Sequence, residues 1–334
     1  MIVKDVMPNF ELFQPKQLKD ATAIVAKYGK DAWKMAGGND SLAWFKDRAK
    51  RPKVVVDLSG IEELRAIKEL PSGGLEIGAL ATLTEISRHP LVRAKYRVLA
   101  DAASKVASPQ IRNTGTIGGN AAQDARCWYY RYGLPCYRAG GNTCYADTPE
   151  GVNREHALFD TDRCVTVNPS DTAPALVALD AKFILRSAKG ERVLSADEFF
   201  IGPKIDITHL TSIRPDEILT AIRIPADWAG ARFYFEKAAE RNSWDFAMVN
   251  VAAAIKVNGS GVVEASRIVC GAVSATPKRL PAIEDAIKGK VPDAALAKIA
   301  GQSATRGARP LNFNKHKIPL MANLVMRAVR DARA

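Results

Sequence analysis

The amino-acid sequence predicts a protein of mixed helices and strands, with a small parallel α/β unit at the start and an α+β region at the end. The chain of 334 residues is long enough for two or three domains. Strand patterns at 32–36 and 54–58 flank a glycine turn and a helix, which is the layout of a parallel α/β unit. In the final third, strand patterns come first and helical patterns follow Pro277, as in an α+β fold.

Composition and charge narrow the class of protein. The 47% hydrophobic and 25% charged content is ordinary for a globular chain, while the net charge of +12 raises the question of a nucleic-acid partner. The dense basic run at 46–53 is followed by an apolar strand and no interleaved aromatic residues, so we expect no nucleic acid. No uncharged apolar run approaches the ~20 residues of a membrane helix, and no signal peptide is visible. We expect a cytoplasmic protein, or a periplasmic one only by export with a signal-bearing partner.

The first glycine turn has the features of a phosphate site. An amphipathic helix over 18–28 ends at Gly29, and the strand that follows leads into Gly37-Gly38-Asn39-Asp40-Ser41-Leu42. A glycine turn that opens a helix directs main-chain N–H groups and the positive end of the helix dipole towards an anion. A plain tight turn is the alternative interpretation.

A second glycine turn, Thr116-Ile117-Gly118-Gly119-Asn120, follows about eighty residues later. Before it come a strand at 75–79, a capping box at Thr82–Glu85 and a helix over 98–106. The chain has neither the Gly-x-Gly-x-x-Gly fingerprint nor a P-loop. Two double-glycine turns with Asn and hydroxyl donors would suit an extended diphosphate cofactor such as FAD.

Later elements are predicted from turn and periodicity signals. Residues 168–171 cap a helix over 172–179, and strands at 182–186 and 191–194 form a hairpin. A strand over 216–224 precedes an expected domain boundary at 226–230. The remaining predictions are strands at 232–237, 249–257 and 262–270 and helices at 280–288, 293–303 and 320–333.

Four of the five cysteines, Cys127, Cys136, Cys144 and Cys164, are concentrated in one loop. Their separations of eight, seven and nineteen residues match no Cys-x-x-Cys zinc motif, and an odd total without a signal peptide argues against disulfides. An iron–sulfur cluster, a zinc ion and reduced structural thiols all remain open. The arginines expected to offset a negatively charged cluster are Arg126, Arg131, Arg138 and Arg154. Cys270 is expected to be buried in a strand, and the four histidines to be structural or on the surface.

Several motifs together carry a family resemblance. They are Ala36-Gly-Gly-Asn-Asp-Ser41, Ile77–Ile86, the run Ala107-Ser-Pro-Gln-Ile-Arg-Asn-Thr-Gly-Thr-Ile-Gly-Gly-Asn120, Pro169-Ser-Asp171, Lys237, Asp245–Val251 and Gly271–Pro277. With them the whole chain resembles the FAD-binding medium subunit of molybdenum hydroxylases, the xanthine dehydrogenase and carbon monoxide dehydrogenase family. The resemblance implies an α+β fold: a two-subdomain FAD-binding fold of the vanillyl-alcohol-oxidase type and a smaller α+β C-terminal domain.

The same resemblance assigns domains and cofactor contacts. Subdomain 1 would cover 1–57, subdomain 2 would cover 58–228 with a cysteine-rich insertion at about 121–168, and the C-terminal domain would cover 229–334. The FAD contacts would be Met35, Ala36, Gly37, Gly38, Asn39, Asp40, Ser41, Leu42, Thr116, Ile117, Gly118, Gly119, Asn120, Gln123, Asp171, Leu219 and Lys237. No catalytic side chain is expected, because the cofactor carries the redox step.

The cysteine insertion resembles that of the 4-hydroxybenzoyl-CoA reductase β subunit and of bacterial aldehyde oxidoreductase FAD subunits. That likeness implies a [4Fe–4S] cluster bound by Cys127, Cys136, Cys144 and Cys164. The implied protein is an electron-transfer subunit between [2Fe–2S] centres of a small partner subunit and an external acceptor or donor, in a hetero-oligomer with a large molybdopterin subunit. The alternatives are a free-standing flavin oxidoreductase and a zinc-stabilised adaptor.

Overall fold

A computed structural model describes residues 7–332 of the chain. Its strands are β1 (Glu11–Phe13), β2 (Ala32–Met35), β3 (Val54–Asp57), β4 (Ile67–Glu69), β5 (Leu75–Gly78), β6 (Lys182–Ser187), β7 (Gly190–Ser195), β8 (Ile218–Ile224), β9 (Arg232–Ala238), β10 (Val249–Val257), β11 (Val263–Gly271) and β12 (Lys278–Arg279). Its α-helices are α1 (Leu18–Tyr28), α2 (Asn39–Lys46), α3 (Leu83–Arg88), α4 (Pro90–Lys95), α5 (Arg97–Ser104), α6 (Pro109–Thr114), α7 (Ile117–Ala121), α8 (Trp128–Arg131), α9 (Ala173–Ala178), α10 (Ala196–Phe199), α11 (Pro281–Ile287), α12 (Ala294–Ala304) and α13 (Lys317–Asp331). The α+β prediction is confirmed.

The first sheet is the predicted parallel unit. Its order is β1-β3-β2 with both pairs parallel, and α2 connects β2 to β3. Successive residues of β3 face opposite sides of the sheet. Val54 and Val56 pack with Ala21 and Val25 of α1, while Val55 packs with the aromatic residues of α2. The start of α2, which carries the first glycine turn, is therefore fixed by a buried face of the sheet.

The second sheet is antiparallel, with the order β4-β5-β8-β6-β7. The hairpin β6–β7 turns at Gly190 as predicted, and Thr82 forms the predicted capping box with Glu85. Ile117, at the start of α7, is fully buried in the core that joins this sheet to its helices. This buried anchor holds the second glycine turn against the end of β5.

The third sheet has the antiparallel order β12-β11-β10-β9. Val251 and Cys270 face a core shared with α11, α12 and α13, whereas Ala252 and Ala254 pack into the core of the second sheet. Cys270 is fully buried, as predicted. The sheet therefore buries both faces and joins the C-terminal region to the rest of the molecule.

The cysteine loop lies between α7 and α9 and contains only the short α8 and two 3₁₀ turns. The C-terminal region holds it in place, because the carbonyl of Val273 accepts the N–H groups of Leu158 and Phe159 at 2.8 and 3.1 Å. Lys317 is fully buried and donates to three carbonyls at 2.5–3.1 Å, including that of His156. α13 begins at Lys317 and not at the predicted 320, because Pro319 falls in the first turn, where its missing N–H costs no intrahelical hydrogen bond. Residue 333, the predicted end, lies outside the described residues. Over residues 7–332, no helix is long and apolar enough to cross a membrane.

Candidate cofactor sites

A cavity of about 760 Å³ opens between the first sheet and the second, within the size range of small-molecule sites. Both glycine turns line it, together with residues 209–219 that lead into β8. The predicted FAD contacts found in its lining are Ala36, Gly37, Gly38, Asn39, Asp40, Ser41, Thr116, Gly118, Gly119, Asn120, Gln123 and Leu219. Two turns about eighty residues apart thus meet at one cavity.

The first turn approaches the backbone of the second so closely that it requires glycine. A Cβ on Gly37 would lie 2.0 Å from the carbonyl oxygen of Thr114. Gly38 has a φ of 76°, in the left-handed region that glycine adopts readily. The side chain of Asn39 joins the two segments by donating to Thr114 Oγ1 at 2.9 Å.

The N–H groups of the two turns differ in how they are satisfied. No described side chain caps the start of α2, so its first-turn N–H groups can bind an anion. In the second turn, Thr116 Oγ1 accepts the N–H of Gly119 at 3.1 Å. A Cβ on Gly119 would meet this hydroxyl at 3.1 Å and no other described atom within 4 Å. Gly119 therefore leaves open space towards the cavity, whereas Gly118 packs against Ala79.

The cavity lining fits a hydrogen-bonding cofactor. Gln123 Oε1 is buried and has no hydrogen-bond partner among the described residues. A buried acceptor of this kind is costly unless a ligand or water donates to it. The cations Lys34, Lys50 and Arg51 also line the cavity and would favour a diphosphate. Burial lowers the pKa of Lys34 to about 8, against the attraction of Glu217 and Asp216.

Sequence reasoning missed Lys34, which lies in β2, and it considered the run at 46–53, which contains Lys50 and Arg51, only as a possible nucleic-acid contact. The signal that could have found Lys50 and Arg51 is position, since the run directly follows the helix opened by the first glycine turn. Five predicted contacts lie outside the cavity lining: Met35, Leu42, Ile117, Asp171 and Lys237. Ile117 is fully buried beneath its turn, and Leu42 is 40% exposed.

Asp171 and Lys237 form a buried ion pair at 2.6 Å. Burial raises the pKa of the Asp171 carboxyl, and the Lys237 ammonium and the Asn250 amide act against that rise. Next to this pair, Asn120 Oδ1 accepts hydrogen bonds from Ser170 Oγ at 2.7 Å and Thr172 Oγ1 at 2.6 Å. The Pro-Ser-Asp segment is therefore hydrogen-bonded directly to the second glycine turn.

The four clustered cysteines line a second, much smaller cavity of about 20 Å³. Every cysteine of the described residues is a free thiol. Arg138, Arg163 and His156 share the lining, although sequence reasoning singled out only the first of these for this site. The space suffices for about one water molecule. In residues 7–332 no group of three His, Cys, Asp or Glu side chains stands close enough to hold a metal ion.

The chemistry of the donors around this cavity fits a thiolate-bound group. Main-chain N–H groups of Tyr129 and Tyr130 point towards the Cys127 sulfur, and three others point towards Cys144. Burial raises the pKa of the Cys127 thiol to about 11, so a metal would have to displace its proton. Arg138 Nε is buried without a partner in the described part of the chain. A cluster would also have to widen the cavity.

Of the four arginines predicted to offset the charge of a cluster, Arg138 alone lines the cysteine cavity, and it too is ion-paired, with Asp124. Arg126 forms an ion pair with Asp40 of the first glycine turn, and Arg131 pairs with Asp47 at 2.6 Å. Arg154 pairs with Glu240 at 2.5 Å. Two of these pairs connect the cysteine loop to α2. Trp128, next to Cys127 in the loop, is 55% exposed.

Comparison with known proteins covers nearly the whole chain. Residues 8–227 match the family model of the FAD-binding domain in molybdopterin dehydrogenase, and residues 234–332 match the carbon monoxide dehydrogenase flavoprotein C-terminal domain. The chain is 32% identical to the aldehyde oxidoreductase FAD-binding subunit of Escherichia coli, over 90% of this chain and 91% of that protein. It is 30% identical to the carbon monoxide dehydrogenase medium chain of Hydrogenophaga pseudoflava, over 91% and 87%.

Solved structures show the same fold. A structure of carbon monoxide dehydrogenase from Hydrogenophaga pseudoflava aligns with a TM-score of 0.76 and 28% identity, covering 98% of both chains. Quinoline 2-oxidoreductase from Pseudomonas putida 86 aligns with a TM-score of 0.76 and 25% identity, covering 98% of both chains.

Proposed function

Because the chain belongs to the family of FAD-binding medium subunits of molybdenum hydroxylases, we propose that it moves electrons between [2Fe–2S] centres of a partner subunit and an external acceptor or donor. It is an oxidoreductase subunit, and FAD is its cofactor. The observation that carries the proposal is the cavity of about 760 Å³ at which the two double-glycine turns meet.

The residues proposed to hold FAD act by binding and orienting it. The uncapped N–H groups at the start of α2 and the open face of Gly119 would receive the pyrophosphate, with Lys50 and Arg51 nearby to balance its charge. Gln123 Oε1 would accept a hydrogen bond from the cofactor. When bound, the flavin supplies the electron-transfer chemistry. Asp171 and Lys237, proposed as flanking contacts, would order the second turn through Ser170 and Asn120.

The partners proposed for the chain are a large molybdopterin subunit and a small [2Fe–2S] subunit. Support comes from the relatives, which are named as medium chains or FAD-binding subunits of larger enzymes. The chain has no proposed catalytic base, and its cavity is accounted for by FAD. We therefore expect the purified single chain not to turn over aldehydes or aromatic acyl-CoA esters, and to gain activity with its partners. Robust turnover by the single chain would favour a free-standing flavin oxidoreductase instead.

A second proposal concerns the cysteine loop, which would hold a [4Fe–4S] cluster on Cys127, Cys136, Cys144 and Cys164. It is supported by four free thiols around one cavity, by the N–H groups directed at their sulfurs and by the unpartnered Arg138 Nε. The ion pair between Asp40 and Arg126 would then link the loop that holds the cluster to the turn that holds FAD.

Metal and sulfide analysis of anaerobically purified protein tests this proposal. We expect about four iron atoms and four sulfides beside one FAD, following four-cysteine ligation. Cys136→Ser should lower the iron content and leave flavin bound, whereas the buried Cys270 lies in another core and Cys270→Ser should leave iron unchanged. Stoichiometric zinc without sulfide would overturn the cluster and favour a zinc-stabilised loop, while the flavin assignment would stand.

A further inference from the structure

A third cavity, of about 40 Å³, lies between the two proposed cofactor sites. Asp171 and Asn250 line one part of it, and Cys127 and His156 line another. Three buried polar atoms in its lining have no hydrogen-bond partner among residues 7–332: His156 Nδ1, Asn168 Nδ2 and Asn250 Oδ1. All three side chains are at least 95% buried. Buried polar atoms without partners are rare in proteins, and three of them around one cavity require a common explanation.

His156 is held against the sulfur of Cys127. Its Nε2 lies 3.3 Å from Cys127 Sγ, within hydrogen-bond reach of a sulfur atom. The main chain of His156 is fixed from the C-terminal region, because its carbonyl accepts from Asn314 Nδ2 at 3.1 Å and Lys317 Nζ at 2.8 Å. Both of these donors belong to fully buried residues. The backbone that carries the ring is therefore fixed beside the sulfur, and burial of the side chain leaves the ring little space to turn.

The three unpartnered atoms have complementary hydrogen-bonding capacities. A neutral imidazole carries its proton on one ring nitrogen and accepts on the other. If Nε2–H donates to the Cys127 sulfur, Nδ1 needs a donor. Water can donate to His156 Nδ1 and Asn250 Oδ1 while accepting from Asn168 Nδ2. A cavity of about 40 Å³ has room for about three or four water molecules at about 10–15 Å³ each.

We infer that this cavity is a water-binding site that holds His156 as an Nε2–H donor to the Cys127 sulfur, and that His156 thereby raises the reduction potential of the iron–sulfur cluster. The inference rests on the cluster proposed above. Hydrogen bonds to ligand sulfurs tune the potential of such clusters, and a donor stabilises the reduced form, which carries more negative charge. His156 is a positioning residue here and not a ligand.

The test is a redox titration of the full chain, monitored by the electron paramagnetic resonance of the reduced cluster, beside iron and sulfide analysis. His156→Leu removes the N–H donor and replaces the imidazole with an apolar side chain of comparable length. We expect its iron content to stay at the wild-type level and its equilibrium constant for reduction to fall about tenfold, or about 59 mV for one electron. His156→Gln, which restores an N–H donor, should recover part of the shift. His89→Leu, remote from the cysteines and also carrying an unpartnered ring nitrogen, is the matched control and should change nothing.

The outcomes separate the inference from the function on which it rests. A wild-type chain without iron and sulfide would overturn the proposed cluster itself. A full cluster with an unchanged potential in His156→Leu would overturn only the role of His156. If His156→Leu loses iron, the role of His156 is tested with Asn168→Leu, because that variant removes a hydrogen-bond partner of the water and leaves His156 in place. A lower potential in that variant supports the inference, and an unchanged potential refutes it.

Discussion

Replacing Gly37 with alanine should separate the two glycine turns. The new Cβ would lie 2.0 Å from the carbonyl oxygen of Thr114 and 2.8 Å from its carbon. Real Cβ atoms essentially never approach closer than 3.0 Å, so the segments must move apart by about 1 Å. The obstacle is backbone on both sides, so neither segment can relieve the clash by a side-chain rotation.

The cost of this movement has two parts. Overpacking of this kind costs about 1–3 kcal/mol. Loss of the hydrogen bond from Asn39 to Thr114 would add about 0.5–1.5 kcal/mol. The total is about 2–4 kcal/mol, and each 1.4 kcal/mol is a factor of about ten in affinity. If the whole cost falls on closing the turns around FAD, binding should weaken by about thirty-fold to a thousand-fold.

Two measurements on the full chain test this reasoning: FAD affinity by calorimetry on deflavinated protein, and the urea midpoint of unfolding. Gly37→Ala should lower both. Gly119→Val, whose side chain would project into the cavity, should weaken FAD and keep the urea midpoint. Gly259→Ala, with no described atom within 4 Å of its Cβ, should change neither. Wild-type affinity and midpoint in Gly37→Ala would show that the two turns do not touch in solution.

Three further predictions concern buried groups. Asp171→Ala leaves the ammonium of Lys237 buried without its carboxylate, so we expect the free energy of unfolding to fall by about 3–5 kcal/mol. The double variant Asp171→Ala, Lys237→Met should regain most of this loss. An Asp171→Ala variant as stable as the wild type would contradict the pairing. Cys270→Ser places a hydroxyl in an apolar core and should lower the free energy of unfolding, measured in urea, by about 1–3 kcal/mol. An unchanged urea midpoint would refute this expectation. Burial acts to raise the pKa of Glu217, but the guanidinium of Arg192 at 2.6 Å outweighs burial and the net pKa is lowered. Because the folded pKa lies below the unfolded one, this pair stabilises the chain above the ordinary Glu pKa of about 4.3 and the contribution is lost as the pH falls through the folded value. As the pH is lowered through that range, the unfolding midpoint should fall more steeply for the wild type than for Glu217→Gln. Parallel plots of midpoint against pH for the two proteins would count against a contribution from this ion pair.

Two ion pairs link the cysteine loop to α2, although the two proposed cofactor segments are separated along the chain. In the structure, Asp40 at the first glycine turn pairs with Arg126, and Asp47 pairs with Arg131. Loosening the loop removes partners from the helix whose N-terminus lines the FAD cavity. Helix α2 therefore contacts both the FAD cavity and the cysteine loop.

The local elements and the types of donor could be predicted from the amino-acid sequence. The hairpin at Gly190, the capping box at Thr82 and the parallel unit around the first glycine turn were predictable because each depends on residues close together along the chain. Glycine at position 37 could be recognised as part of a turn. That it must be glycine because Thr114 lies against it is a tertiary fact.

Which side chains contact one another depends on how the distant segments pack. Nothing in the sequence pairs Arg126 with Asp40, 86 residues earlier, and so sequence reasoning assigned the arginine to the cysteines instead. Sequence reasoning treated His156 as one of four structural or surface histidines, because no residue near His156 in the chain indicates its contact with Cys127. Lys34 and Lys50 line the same cavity only because the fold brings their two segments together. Periodicity and turn chemistry report on neighbours within a few residues, whereas burial and charge pairing arise from segments that meet only when the sheets pack.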